Sequence, residues 1–325
     1  MTIPQLNAHQ QYLIEEFVED YREHRMARRD LLRRVLLITG SIPASASLLA
    51  TLGCGTSGGG DKTPAAGAAT NAAGASPPPA SAAAVSPTVI ATPAAGSTRD
   101  VRFAGPAGEL LGYLAVPAGL PGAKFPGIVV IHENRGLVEH TRDVARRFAN
   151  EGFVALAVDL VSRDGGSKAD EALNTGFLGR ANPDDLAADL VASVKYVGTL
   201  ASVRAGGVGV VGYCFGGGYT FEVAIASPDV KAAVPYYGTV RKLDDLGKTN
   251  AAILAIYGGD DTRVTAQSEQ VRQRLAAAGK TFEIKVYPGA NHAFFNDTGP
   301  RYNETAAKDA WALTLAWFRK YLPTA

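Results

Sequence analysis

Residues 210–220 read VVGYCFGGGYT. An apolar, β-branched run ends at Gly212, Cys214 follows, and Gly216 stands two residues further on. Gly-x-Cys-x-Gly after a strand is the spacing that lifts a nucleophile onto a sharp strand-to-helix turn. Side chains two residues to either side would collide with the neighbouring strand and helix, so both flanks must be glycine. The amide of Phe215 would then lie at a helix N-terminus, where partial positive charge favours a thiolate and a developing oxyanion. Taken alone, the stretch also fits a small cysteine packed into a Gly-rich turn. Downstream, Asp260 and Asp261 follow one apolar run in YGGDDTRV, and His292 follows the next in YPGANHAFF. An imidazole can take a thiol proton, and one of the two carboxylates can hold it in the required tautomer. Alone, the histidine fits a loop residue and the aspartates a helix cap. The order nucleophile, acid, base is what points to nucleophilic catalysis.

These residues need a scaffold that ends several strands at one rim. Continuous apolar runs at 125–133, 153–160 and 208–213 predict strands buried on both faces, with later strands at 230–238, 251–259 and 282–290. Helical spacing is read at 140–152, 183–200, 217–227, 265–279 and 305–322. Two shorter strands, VRFAG and LLGYLAVP, are joined by a turn at PAGE and open the series. Alternation of this kind predicts an α/β fold, a mostly parallel sheet with helices on both faces. Sites in such sheets form beyond the carboxyl ends of the strands. Glu133, Cys214, Asp261 and His292 all fall there.

The domain is read as 99–325. Residues 1–54 have a different character. RRDLLR at 28–33 precedes a stretch without charge at 35–54, the layout of an export signal, and Arg28–Arg29 fits a twin-arginine signal. Cys54 in TLGC is similar to a lipoprotein cleavage box, although Thr51 stands where that box prefers Leu. The alternatives are an anchor in the membrane or an amphipathic N-terminal helix with a basic patch in a cytoplasmic protein. Residues 55–98 are almost all Gly, Ala, Ser, Thr and Pro and are expected to form a disordered tether. With 32 Lys and Arg against 31 Asp and Glu, no basic excess points to nucleic acid. Two cysteines among 325 residues exclude a disulfide-dense scaffold and a multi-cysteine zinc site.

The chain resembles dienelactone hydrolases (carboxymethylenebutenolidases), of the α/β-hydrolase superfamily. HENRG (132–136), AVDL (157–160), GYCFGG (212–217), GGDD (258–261) and GANHAF (289–294) carry the resemblance, which covers about 99–322. It implies a triad of Cys214, His292 and Asp261, the acid standing two residues after the second glycine of GGDD. It also implies that Glu133 contacts the resting thiol and accepts its proton, and that the amides of Phe215 and Asn134 form the oxyanion hole. The substrate would be a small lactone or ester, with no metal or cofactor, and the protein a monomer. The family holds a substrate carboxylate with arginines, one of them four residues after the histidine. Asn296 stands at that position, which puts dienelactone itself in doubt. Arg135, Arg263 and Arg301 are candidate replacements, and Tyr213, Phe215, Phe294 and Phe295 candidate pocket residues. Competing functions are a carboxylesterase or thioesterase on other acyl groups, a non-catalytic envelope binding protein, and a redox sensor.

Overall fold

The computed structural model describes residues 6–51, 96–119 and 122–322. Three helices come first: α1 (Ala8–Arg22), α2 (Arg28–Thr39) and α3 (Ile42–Thr51). Asn7 caps α1 by accepting from the amide of Gln10, and the Gln10 side chain returns a bond to the Asn7 amide. Leu13, Ile14, Phe17 and Val18 form the buried stripe of α1, at the spacing of one helical face. Leu31, Val35 and Ile38 do the same for α2.

Strands β1 (Ser97–Gly105) and β2 (Gly108–Val116) form an antiparallel hairpin. Then follow β3 (Phe125–Ile131), α4 (Glu139–Asn150), β4 (Val154–Asp159), α5 (Glu171–Arg180) and α6 (Pro183–Thr199). Next come β5 (Val203–Tyr213), α7 (Phe215–Ala226), β6 (Val230–Tyr236) and β7 (Ala252–Gly258). The chain ends with α8 (Thr262–Thr265), α9 (Ser268–Ala277), β8 (Phe282–Tyr287) and α10 (Glu304–Tyr321). The sheet order is β1-β2-β4-β3-β5-β6-β7-β8. β2 runs antiparallel to β4, and every pairing from β4 onward is parallel. Helices on both faces explain the unbroken apolar runs in β3, β4 and β7, which have no solvent side.

The expected α/β architecture is what the chain adopts. The domain starts slightly earlier than read, because Ser97 already pairs with Val116; an exposed edge strand uses backbone bonds and needs few apolar side chains. Cys54 and residues 55–95 of the expected tether lie outside the described residues. The N-terminal segment is helical, as the amphipathic alternative expects, but its docking was not read: α1 and α2 pack on α5 of the domain, and α3 packs on α2. Among the described residues, no helix is long and apolar enough to cross a membrane.

Helix α5 was also not read. Two glycines interrupt its pattern, and the packing explains them: a Cβ at Gly176 would meet Leu37 of α2 at 2.7 Å, and one at Gly179 would meet Ile38 at 2.9 Å. Elsewhere in the core, Phe148 of α4 packs against Phe153, Trp311 and Phe318 with ring centroids 4.5–6.1 Å apart. It is fully buried. Phe148→Ala is expected to cost about 3–5 kcal/mol, read as a lowered melting temperature; a change below about 1 kcal/mol would contradict this account of the core.

Candidate active site

Cys214 lies between β5 and α7 with φ 55° and ψ −116°. L-residues avoid that region, so the turn is strained and must be held by its surroundings. The Cys214 amide donates to Tyr236 O at 3.1 Å, and the Gly218 amide donates to Cys214 O at 3.2 Å. A Cβ at Gly212 would run into the carbonyl of Gly216, and one at Gly216 would sit 2.6 Å from His132 O. The glycine spacing is therefore a packing requirement of the turn.

Asp261 and His292 come from the loops after β7 and β8. His292 Nδ1 lies 2.6 Å from Asp261 Oδ2, and both side chains are fully buried. A carboxylate only accepts, so Nδ1–H donates and Nε2 is left for another partner. Asp261 Oδ1 also accepts from the Val264 amide at 3.2 Å, capping α8. Asp260 is not in this contact. His292 Nε2 has no hydrogen-bond partner among the described residues, and a ring nitrogen of His292 lies within 4.8 Å of Cys214 Sγ.

Glu133 and Asn134 follow β3. Their loop is braced from α5 and its approach: Thr175 Oγ1 donates to Asn134 O at 2.9 Å, and Asn174 Nδ2 donates to Arg135 O at 2.8 Å. The Leu137 amide donates to Ser167 Oγ at 2.8 Å, and Ser167 is fixed in turn by Asp159. Glu133 is buried, but its Oε2 accepts from Asn296 Nδ2 at 3.0 Å and no bond to Cys214 is present. The residue at the family's arginine position thus engages Glu133.

The carboxylate at the thiol is a different one. Glu16 of α1 places Oε2 at 3.4 Å and Oε1 at 3.6 Å from Cys214 Sγ, and accepts from Asn134 Nδ2 at 3.2 Å. The Tyr12 hydroxyl is 3.6 Å from the same sulfur. Neither residue was singled out from the sequence. The signal was present as the apolar stripe of α1 and its Asn7–Gln10 cap, but nothing local says where that helix docks.

Of the candidate pocket residues, Phe215 lines a cavity of about 230 Å³ with His9, Tyr12, Cys214, Tyr219 and Val240. Arg135 lines a second of about 280 Å³, also reaching Cys214, with Glu16, Asn134 and Asn296. Arg135 is 3.6 Å from Glu171. Tyr213 is instead packed on Tyr236 and Phe295, and Phe294 on Tyr236, Tyr237 and Tyr287. Arg263 stacks on the Tyr12 ring and pairs with Glu19, while Arg301 pairs with Asp20 and Glu23. Both arginines are therefore engaged by α1.

Burial pushes the Cys214 thiol up, the Glu16 carboxylate adds to this, and His292 opposes it without prevailing. Burial works against charge on His292, but Cys214 and Asp261 outweigh it and hold the imidazole well above its ordinary value. Burial raises Asp261, yet His292 and Arg263 bring its carboxyl below the usual range. Glu16, Cys214 and His292 offer a carboxylate, a sulfur and an imidazole within 4.8 Å of one another. These donor types can hold a zinc-like ion; the same thiol and imidazole can also serve as nucleophile and base.

Residues 110–322 match the family model described as the dienelactone hydrolase family. The chain is 35% identical over 255 residues to the "Putative carboxymethylenebutenolidase" of Salmonella typhimurium, covering 73% of this chain and 93% of that one. It superposes on the structure described as "Putative Dienelactone Hydrolase" from Klebsiella pneumoniae with TM-score 0.64 and 31% identity, covering 69% of this chain and 99% of that one. The dienelactone hydrolase structure from Anabaena variabilis, 23% identical with TM-score 0.56 over 70% of this chain and 99% of that one, shares the fold.

The His292–Asp261 contact has a pH signature. Asp261 is depressed, so its contribution fades as pH falls through that lowered value; His292 is raised, so its contribution fades as pH rises through that raised value. Asp261→Asn is expected to move the His292 imidazole titration to lower pH, followed by NMR. An unmoved titration would mean that Asp261 does not set the charge of His292.

Proposed function

The chain belongs to the dienelactone hydrolase family and is an ester-bond hydrolase, and from that premise we propose that it opens a small lactone or ester through a Cys214–His292–Asp261 triad. The observation that carries the proposal is the 2.6 Å contact of His292 with Asp261 beside a cysteine on a strained turn at the start of α7.

In the proposed reaction His292 takes the thiol proton and Cys214 Sγ attacks the carbonyl carbon. A C–S bond forms and the carbonyl oxygen becomes an oxyanion. The amides of Phe215 and Asn134 are the assigned donors to it, supported by the position of Phe215 as the first residue of α7 and by the bracing of the Asn134 loop. The C–O bond then breaks, and the leaving oxygen takes the proton from the imidazolium. A water molecule, deprotonated by His292, attacks the thioester. The C–S bond breaks and the free acid leaves.

The 230 Å³ cavity offers aromatic and apolar walls at Phe215, Tyr219 and Val240 to an acyl or ring portion, and also carries the Arg241–Glu222 ion pair. Asn296 bonded to Glu133 favours esters and simple lactones over a carboxylated dienelactone. Export belongs to the same proposal, supported by Arg28–Arg29 ahead of the uncharged run at 35–54. A tagged chain is then expected in the envelope fraction, and finding it wholly in the cytosol would overturn that part.

The direct test is turnover of a dienelactone, a plain lactone and p-nitrophenyl esters by the full chain and by Cys214→Ala. The variant is expected to lose about three orders of magnitude or more in kcat/KM. Retained activity would remove Cys214 from the mechanism.

A further inference from the structure

Helix α1 stands outside residues 110–322, the part matched by the family model, yet it closes the site. Glu16 and Tyr12 both touch Cys214 Sγ, and Glu16 Oε1 is 4.0 Å from His292 Nε2. Cys214 is 2% exposed and Glu16 7%. An ester carbonyl must reach the sulfur at about van der Waals contact to be attacked, and the Glu16 carboxylate lies at that distance. Both cavities that reach Cys214 have α1 in their walls, through His9 and Tyr12 on one side and Glu16 and Asp20 on the other.

The electrostatics point the same way as the sterics. A carboxylate beside a buried thiol disfavours the thiolate, which is the nucleophilic form.

Burial of Leu13, Ile14, Phe17 and Val18 holds the apolar face of α1, and polar contacts add to it. His9 Nε2 lies 2.9 Å from Leu178 O, Arg263 covers Tyr12 and pairs with Glu19 at 3.6 Å, and Arg301 pairs with Asp20 and Glu23. Ion pairs of this partly exposed kind are weak and salt-sensitive.

We infer that α1 is an intramolecular inhibitor: it seats Glu16 and Tyr12 on Cys214, and turnover requires it to leave. The inference rests on the hydrolase reading only for its activity readout, because occlusion of the thiol can be measured without a substrate.

The experiment uses the full chain and its Glu16→Gln, Glu16→Ala and Arg301→Ala variants. Iodoacetamide labelling of Cys214 is followed by mass mapping, which separates it from Cys54, alongside kcat/KM on p-nitrophenyl acetate and melting temperature. Labelling at neutral pH is expected to quicken about tenfold in Glu16→Ala, as the open fraction rises. A smaller gain is expected in Glu16→Gln, which keeps the shape and loses the charge; its labelling profile should also move to lower pH. Arg301→Ala, which removes the pairs with Asp20 and Glu23, and added salt should each quicken labelling with the melting temperature retained. The rise of kcat/KM should follow the same order.

Unchanged labelling in both Glu16 variants would overturn the inference. A fall in kcat/KM of Glu16→Gln with the fold intact would also overturn it, and would make Glu16 part of the catalytic apparatus. Faster labelling with no ester turned over by any form would leave the occlusion standing and remove the hydrolase reading instead.

Discussion

The backbone at Cys214 is the constraint on which the rest of this molecule depends. A residue with a side chain held at positive φ costs on the order of 1–3 kcal/mol, and the cost is met by placement. The turn leaves the middle of the sheet, where β5 is flanked by β3 and β6. Its amide is tied to Tyr236 O and its carbonyl to the Gly218 amide. Neighbouring backbone comes so close that only glycine fits at 212 and 216. The sulfur is thereby fixed at the strand ends, where the loops bearing His292 and Asp261 also converge.

Converging titratable groups in a buried place makes each one's charge depend on the others. His292 and Arg263 bring the Asp261 carboxyl below its usual range against burial, and Cys214 and Asp261 raise the His292 imidazole against burial. The thiol has no cation strong enough to offset burial while Glu16 lies against it. Glu133 is engaged by Asn296. The side chain with most effect on the nucleophile's resting state therefore comes from a helix outside the residues that the family model matches.

The N-terminal helices reach the site along two routes. Tyr12 and Glu16 touch the sulfur directly. Through α2 the same segment packs on α5, whose Gly176 and Gly179 admit Leu37 and Ile38. Helix α5 carries Asn174 and Thr175, which hold the carbonyls of Arg135 and Asn134. The packing of the extra segment and the shape of the loop after β3 are thus linked through one short helix.

By itself the sequence determined the sheet and placed Cys214, an aspartate pair and His292 after its strands. Buried strands such as VVIHE and ILAIYGG have no polar face, and the glycine spacing around Cys214 is a local steric requirement. Such signals survive without knowledge of distant contacts. The sequence left Asp260 and Asp261 equivalent until a family pattern was applied, and only the 2.6 Å contact singles out Asp261 by geometry. It gave no means of placing Glu133 with Asn296, or of separating the packed Tyr213 and Phe294 from Phe215 at the cavity. Least legible was α1. Its stripe of Leu13, Ile14, Phe17 and Val18 says that one face is buried, but not against what. Docking across 198 residues of sequence, from Glu16 to Cys214, is set by shape and charge on two assembled surfaces, and neither surface exists until the chain has folded.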